Sequence, residues 1–481
     1  MRHGRQRGRG TSGPYRRTPS RALAAVLLAV LALPACTAGD DGGSGTAGQQ
    51  ADAAVAEGDI VVASGRDVTG KGGIRQKLIE QWNRQQEEKG SGPRARLVEL
   101  PGSADQQRSQ LLGALQSGSA EYDVVNLDVT WVPEFADAGL VQPLPDELLD
   151  GDFIPSVAAT ARWGGKTYAI PFNSDVGLLF YRPDYLKKAG VTDTQLGAGT
   201  DWSTVQRLIG TVGDAGRSAA DGYEKGWTTQ LAPYEGLTVN GIEAFASADE
   251  GLSLTDGAGR YTGSAAKLEA GLKELRERTQ APYTLGDAGR SDEAESLGDF
   301  ADGRTAFLRH WPYAYRTLHQ SLTDQQLGVA PLPGRAVLGG QNLAVTKASK
   351  RGPAAQALIR FLTGQESERC LLDAGFAATR LSAYNDNALT CRVAKPPVPA
   401  APNAESTDRM PRDEHGRPKY ARDTLLPALQ NAVQRPRTPL YGAFTQTFTT
   451  QLRRLYADKP PSDKQLANDL HAKLKSALPH P

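Results

Sequence analysis

From Asp59 onward, short apolar runs alternate with longer stretches in which apolar residues recur every three or four positions. Ile60-Val61-Val62-Ala63 reads as a buried strand, and Ile74, Leu78, Ile79 and Trp82 then share one helix face. Arg96-Leu97-Val98-Glu99-Leu100 is a second strand. Leu111, Leu112 and Leu115 mark a second helix, and Asp123-Val124-Val125-Asn126-Leu127 is a third strand. Apolar strands separated by helices predict parallel pairing in a layered α/β domain. After Tyr168-Ala169-Ile170-Pro171 the pattern shifts. One strand is predicted over 176–181, a helix opens at Pro183 and stops at Gly190, and Asp201 is placed to cap a helix that reaches Leu208 and Ile209. Further strands are predicted at 306–308, 327–330 and 343–345, and a single helix over 354–372. A surface excursion rich in proline and charge is predicted over 392–420, with helices from Leu425 on.

The first 58 residues break this pattern. Seven arginines, from Arg2 to Arg21, precede any acidic residue, and an apolar run follows over 22–33. That run is too short to span a bilayer but suits the core of a signal peptide. It ends in Leu33-Pro34-Ala35-Cys36, which resembles a lipobox. Residues 1–35 are therefore read as a signal peptide and Cys36 as the lipid acceptor, with 36–58 as a flexible tether. The expected place is the outer face of the cell membrane, held by the lipid. Arg16-Arg17 is not followed by the rest of a twin-arginine motif.

Charge changes this picture little. Lys+Arg is 55 and Asp+Glu is 54 over 481 residues. The basic excess sits in the targeting segment, so no nucleic-acid partner is expected. Cys370 and Cys391 remain as an even pair in an oxidising compartment, where a disulfide is the natural reading. The six histidines show no metal-ligand spacing, and no metal or cofactor is expected. Gly65-Arg66-Asp67-Val68-Thr69-Gly70-Lys71 has the spacing of a phosphate loop. Gly72, however, stands where that motif needs a hydroxyl, so it reads as a glycine-rich turn. No H-E-x-x-H, G-x-S-x-G or C-x-x-C is present.

Six segments carry a resemblance. They are Tyr122-Asp123-Val124-Val125-Asn126-Leu127-Asp128-Val129-Thr130-Trp131, then the stretch 135–144, then 165–181 around Asn173-Ser174-Asp175. Tyr234-Glu235-Gly236-Leu237-Thr238-Val239-Asn240 follows, then Phe300 to Phe307 with Trp311-Pro312-Tyr313, and last Arg435-Pro436-Arg437-Thr438-Pro439-Leu440-Tyr441. In this order, behind a lipobox, the chain resembles the carbohydrate-binding, maltose/trehalose type of solute-binding protein of ABC importers. The resemblance implies a two-lobe periplasmic-binding-protein-like fold of type II, with three crossovers near 171–175, 327–334 and 380–384. It implies an N-terminal lobe of 59–172 and 331–381, and a C-terminal lobe of 173–330 and 382–481. It implies a monomer that takes a sugar between the lobes and passes it to importer permease subunits, with no catalysis.

A sugar offers hydroxyls, which carboxylates and amides can pair with, and C–H faces, which aromatic rings can cover. On that chemistry the expected ligand set is Gln107, Asp128, Asn173, Asp175, Glu235, Trp311, Tyr313, Gly340, Gln341, Arg437 and Tyr441. Asp128 and Asp175 could instead be caps, and Arg437 an ordinary ion-pair partner. Two departures bear on which sugar is taken. Gly339-Gly340 is followed by Gln341 where many relatives have Trp, and the first helix begins Gly73-Ile74-Arg75 without an acid. The competing readings are a lipid-anchored glycoside-processing enzyme that uses Asp128 and Asp175, and a scaffold or sensor lipoprotein.

Overall fold

The computed structural model describes residues 58–66, 73–90, 92–216, 222–393 and 408–481. The signal peptide, Cys36, most of the tether, the glycine-rich turn over 67–72 and the middle of the excursion lie outside these residues. Among the described residues no helix is long and apolar enough to cross a membrane.

Eleven strands are described: β1 Ile60–Gly65, β2 Ala95–Leu100, β3 Val124–Asp128, β4 Arg162–Trp163, β5 Lys166–Thr167, β6 Ile170–Val176, β7 Leu178–Tyr181, β8 Lys225–Thr228, β9 Thr305–His310, β10 Gly328–Pro331 and β11 Leu338–Val345. They form two main sheets and the small β4–β5 hairpin, and each sheet is the heart of one lobe. The first sheet runs β2-β1-β3-β11-β6, with β1 parallel to β2 and β3, and β11 antiparallel to β3 and β6. The second runs β10-β7-β9-β8, antiparallel except for β8 beside β9. The parallel α/β expectation therefore holds for β1 to β3. The late strand β11 enters that sheet in the opposite sense.

Pleating sorts the first sheet's side chains onto two faces. Ile60, Val62, Val124, Leu343 and Val345 pack with helices α1 (Ile74–Glu88), α11 (Gly352–Leu362) and α12 (Gln365–Asp373). Ala63, Val125, Leu127 and Ala344 face the other way, toward α2 (Ala104–Gln116) and α3 (Val132–Asp137). Helix α2 starts at a capping box between Ser103 and Gln106, which satisfies two amides at its end. The short α4 (Pro155–Ala158) leads to the β4–β5 hairpin.

The second sheet is built on Leu178, Phe180, Phe307 and Leu308, all fully buried. Around it lie α5 (Pro183–Lys188), α6 (Trp202–Ala215), α7 (Glu235–Ala248), α8 (Ala265–Thr279), α9 (Glu293–Ala301) and α10 (Tyr313–Leu318). Asp201 caps α6 by accepting from the Thr204 amide at 2.7 Å, as its position before the apolar pattern implies. Helices α13 (Leu381–Asn385), α14 (Leu426–Asn431), α15 (Tyr441–Leu452) and α16 (Asp463–Ala477) complete the chain. Helices α15 and α16 pack on α7 and α8.

Two expected elements are each split in the structure. The strand expected over 176–181 is the junction of β6 and β7, which belong to different sheets. The break is Gly177, where a Cβ would lie 2.3 Å from Glu243 Oε1, part of a buried ion pair with Arg309. The single helix expected over 354–372 is α11 and α12, parted at Thr363-Gly364, where the Ser367 hydroxyl turns back to the Phe361 carbonyl at 2.8 Å. The Cys370–Cys391 disulfide is formed and ties α12 to the segment before the excursion.

Candidate functional site

A cavity of about 550 Å³ opens between the lobes. Its floor is a row across three strands of the first sheet, because Gln341 of β11 pairs with Asp128 of β3 on one side and with Asn173 of β6 on the other. Asp175, two residues along β6, shares the face of Asn173 and sits opposite Gly339. That glycine gives Trp311 its place, since a Cβ there would come within 3.2 Å of both the indole ring and Asp175 Cβ. Gly340 has φ +112°, and a Cβ would strike the Asn173 carbonyl at 2.4 Å, so only glycine fits between the two polar rows.

Arg75, in the first turn of α1, organises one end of the floor. Its guanidinium donates to Ser64 Oγ (3.2 Å), the Gly65 carbonyl (3.0 Å), Asn173 Oδ1 (3.1 Å) and Gln341 Oε1 (3.0 Å). At the other end Trp311 donates its indole N–H to Glu293 Oε1 at 3.3 Å, and Tyr234 donates to Glu293 Oε2 at 2.7 Å. Behind the indole lies Arg309, its guanidinium carbon 3.8 Å from the ring centre, held by Glu243. Tyr313 stands edge-on to His310 at 5.1 Å.

The charged groups differ in how well they are satisfied. Asp128 Oδ1 accepts from the Thr130 amide and hydroxyl and from Arg435, so the acid is both a turn residue and a cleft residue. Glu235 is fuller still. It accepts from Arg435 at 2.6 Å, from the Tyr441 hydroxyl, and from Thr445 at 2.8 Å. Burial raises its carboxyl, while Arg435 works the other way. Asp175 stands apart. Its Oδ1 is buried with no hydrogen-bond partner, and burial pushes its carboxyl up to about 7 against the pull of Arg75.

Of the expected ligand set, Gln107, Asp128, Asn173, Asp175, Glu235, Trp311, Tyr313, Gly340 and Gln341 all line this one cavity. Arg437 and Tyr441 do not. Arg437 turns to the other side of the 433–437 strap and donates to the carbonyls of Ala159 and Arg162. Tyr441 is buried behind Glu235, where its hydroxyl is used up. From this strap it is Arg435 that reaches the cleft. Sequence reasoning missed Arg75, Asn126, Trp131, Glu293, Phe376 and Arg435 as lining residues. Glu293 begins a helix behind a capping box at Asp292, a sequence sign of a helix start that says nothing about the cleft.

Residues 66–369 match the bacterial extracellular solute-binding protein family. The chain belongs to that family. A probable ABC transporter-binding protein of Deinococcus radiodurans is 30% identical to this solute-binding protein over 311 residues, covering 62% of this chain and 72% of that one. The maltose-bound MalE3 of T. maritima shares its fold with a TM-score of 0.70 at 23% identity, over 88% of this chain and 100% of the other. UgpB of Mycobacterium tuberculosis in complex with glycerophosphocholine gives a TM-score of 0.65 at 18% identity, over 88% and 98%. Both structures speak for the two-lobe fold alone.

Proposed function

We propose that this solute-binding protein captures a neutral sugar, an α-linked disaccharide such as trehalose or maltose, and hands it to the permease of an ABC importer. It acts as a monomer, tethered outside the membrane through lipid on Cys36. The observation that carries the ligand class is the row of Asp128, Gln341 and Asn173 with Trp311 beside it over Gly339. Carboxylate and amide groups in one row can pair with successive hydroxyls, and an indole next to them covers a pyranose face. The described lining residues include the acids Asp128, Asp175, Glu235, Asp292 and Glu293 against Arg66, Arg75 and Arg435. That acid excess disfavours an anion. An apolar ligand would leave the neighbouring Asp175 Oδ1 without a partner, at a cost of about 1–3 kcal/mol. Relatives differ in what they are named for: one is maltose-bound and another holds glycerophosphocholine, so it is the row and its tryptophan that favour the sugar, while the ABC transporter-binding relative supports delivery to an importer.

The test is titration calorimetry with trehalose, maltose, sucrose, glucose, an amino-acid mixture and inorganic phosphate. One disaccharide should bind and be recovered unchanged, and scattering should show a smaller radius when it is bound, as the lobes close. Tight binding of an amino acid or phosphate with no response to any sugar rejects the proposal. Turnover of the disaccharide would reassign the protein as a glycoside-processing enzyme. Lipidation is tested separately: Cys36→Ser should leave protein that no longer partitions with membranes.

A further inference from the structure

Helix α7 of the second lobe has no side-chain cap of its own, because its N-cap residue, Tyr234, makes no capping hydrogen bond. The cap comes from the first lobe. Asp105, in the first turn of α2, accepts from the Glu235 backbone N–H at 3.3 Å. One turn further along α2, Arg108 lies against the start of α15, where a Cβ on Gly442 would be 2.2 Å from its guanidinium. Arg108 is itself fixed by a two-pronged pair with Glu134 of α3. A second line joins the same two lobes. Asp128 of β3 accepts from Arg435 at 2.9 and 3.2 Å, and Arg435 donates to the Glu235 carboxylate at 2.6 Å. Glu235 is thus gripped at both its amide and its side chain by groups that trace back to the first sheet and its helix.

We propose that Asp105 is a positioning residue that latches the closed cleft by capping α7 across the gap between the lobes, and so governs how long a captured solute is held. This rests on the reading of the cleft as a solute site, but the latch itself needs no solute to be seen. The gap between a helix end and an acid on another lobe can be bridged only when the lobes are together. Opening must expose the first amides of α7 to water, where no side chain of α7 replaces the cap. The contact is a single hydrogen bond at a helix dipole, strong enough to bias an open–closed balance and weak enough to break on release.

The test uses the solute-free full chain. Amide hydrogen exchange over residues 233–240 should be about tenfold faster in Asp105→Ala. The radius from scattering should grow in the same variant. Asp105→Asn keeps an oxygen that can cap, so both readouts should stay near wild type. Equal acceleration by Ala and Asn, or faster exchange without a larger radius, overturns the latch. With trehalose as the probe, Asp105→Ala should speed release about tenfold and leave the association rate unchanged. Loss of affinity through slower association overturns it. If trehalose binds neither protein, trehalose is excluded as the solute, while exchange and radius still decide the latch.

Discussion

Two cavities lie on either side of the strap 433–437, and Arg435 lines both. The front cleft has a volume of about 550 Å³ and the rear cavity about 370 Å³. Each borrows residues from both lobes, and each is lined by tryptophan, Trp131 and Trp311 in front and Trp163 behind. They differ in what is left unsatisfied. In front, Asp175 keeps an oxygen without a partner beside an aromatic ring. Behind, Asp256 is closed on its own turn through Ala258 and Arg260, and Arg437 has both terminal nitrogens taken by carbonyls and only its Nε without a partner. Size does not separate a binding site from a packing gap here. The kind of group left open does: behind it is the Nε of a guanidinium whose other nitrogens are held, and in front it is a carboxylate oxygen beside an aromatic ring.

That contrast can be broken by experiment. The largest effect should come from the strap itself. Arg435→Met leaves Asp128 and Glu235 buried without their counter-charge and should lower unfolding free energy by about 3–5 kcal/mol. Arg437→Met removes two bonds to carbonyls at a half-buried site and should cost about 1 kcal/mol. Denaturant titration of both variants measures the pair, and equal losses would erase the distinction. Next come the tryptophans. Trp311→Ala should weaken disaccharide binding by at least about tenfold, while Trp163→Ala should change it by less than about threefold. A rear-cavity variant that matched the front one in calorimetry would move the site.

The subtlest effect concerns Asp175. Its folded carboxyl is raised to about 7 from 3.8, so between those values the native state holds a proton that the unfolded state has lost. Stability from this group therefore falls as pH rises from about 4 to about 7, then levels. Asp175→Asn removes the term, so the melting temperature of the variant relative to wild type should climb across that window and stay flat above it. Buried His310, depressed to about 4 from 6.5, acts in the opposite sense over much of the same range, but it is common to both proteins and cancels in the difference. A difference that is flat with pH would show that Asp175 ionises freely in the empty cleft. The same variant should also bind sugar at least about tenfold more weakly.

Strand and helix periodicity made most of the first sheet legible, since β1, β2 and β3 announce themselves as short runs rich in apolar residues between helical faces. It failed where one apolar run serves two masters. Residues 176–180 carry no polar side chain to mark a break, and Gly177, packed against the Glu243–Arg309 pair, divides them between two sheets. Cleft-lining residues on strands, Asp128, Asn173 and Asp175, were legible because pleating and the family motif agree on them. Glu293 was not, because it opens a helix, where acids sit for local reasons, and Arg75 was not, although a cation in a first turn runs against the helix dipole and was the one signal on offer. Arg435 and Arg437 illustrate the limit most sharply. Both fit the same motif two residues apart, and only the tertiary positions of Glu235 and of the Ala159 and Arg162 carbonyls send one forward and the other back.

Strand β11 lies between β3 and β6, pairing Leu343 with Asn126 on one side and Ile170 on the other. A nascent chain therefore carries two strand edges that have nothing to pair with until residues beyond Val337 have been made. Such long-range closure is slow, and an open edge invites the wrong neighbour in the meantime. The first lobe cannot mature before the second has been synthesised through it. Any fragment ending short of Leu338 should accumulate as an aggregating species, whatever the quality of its first three strands.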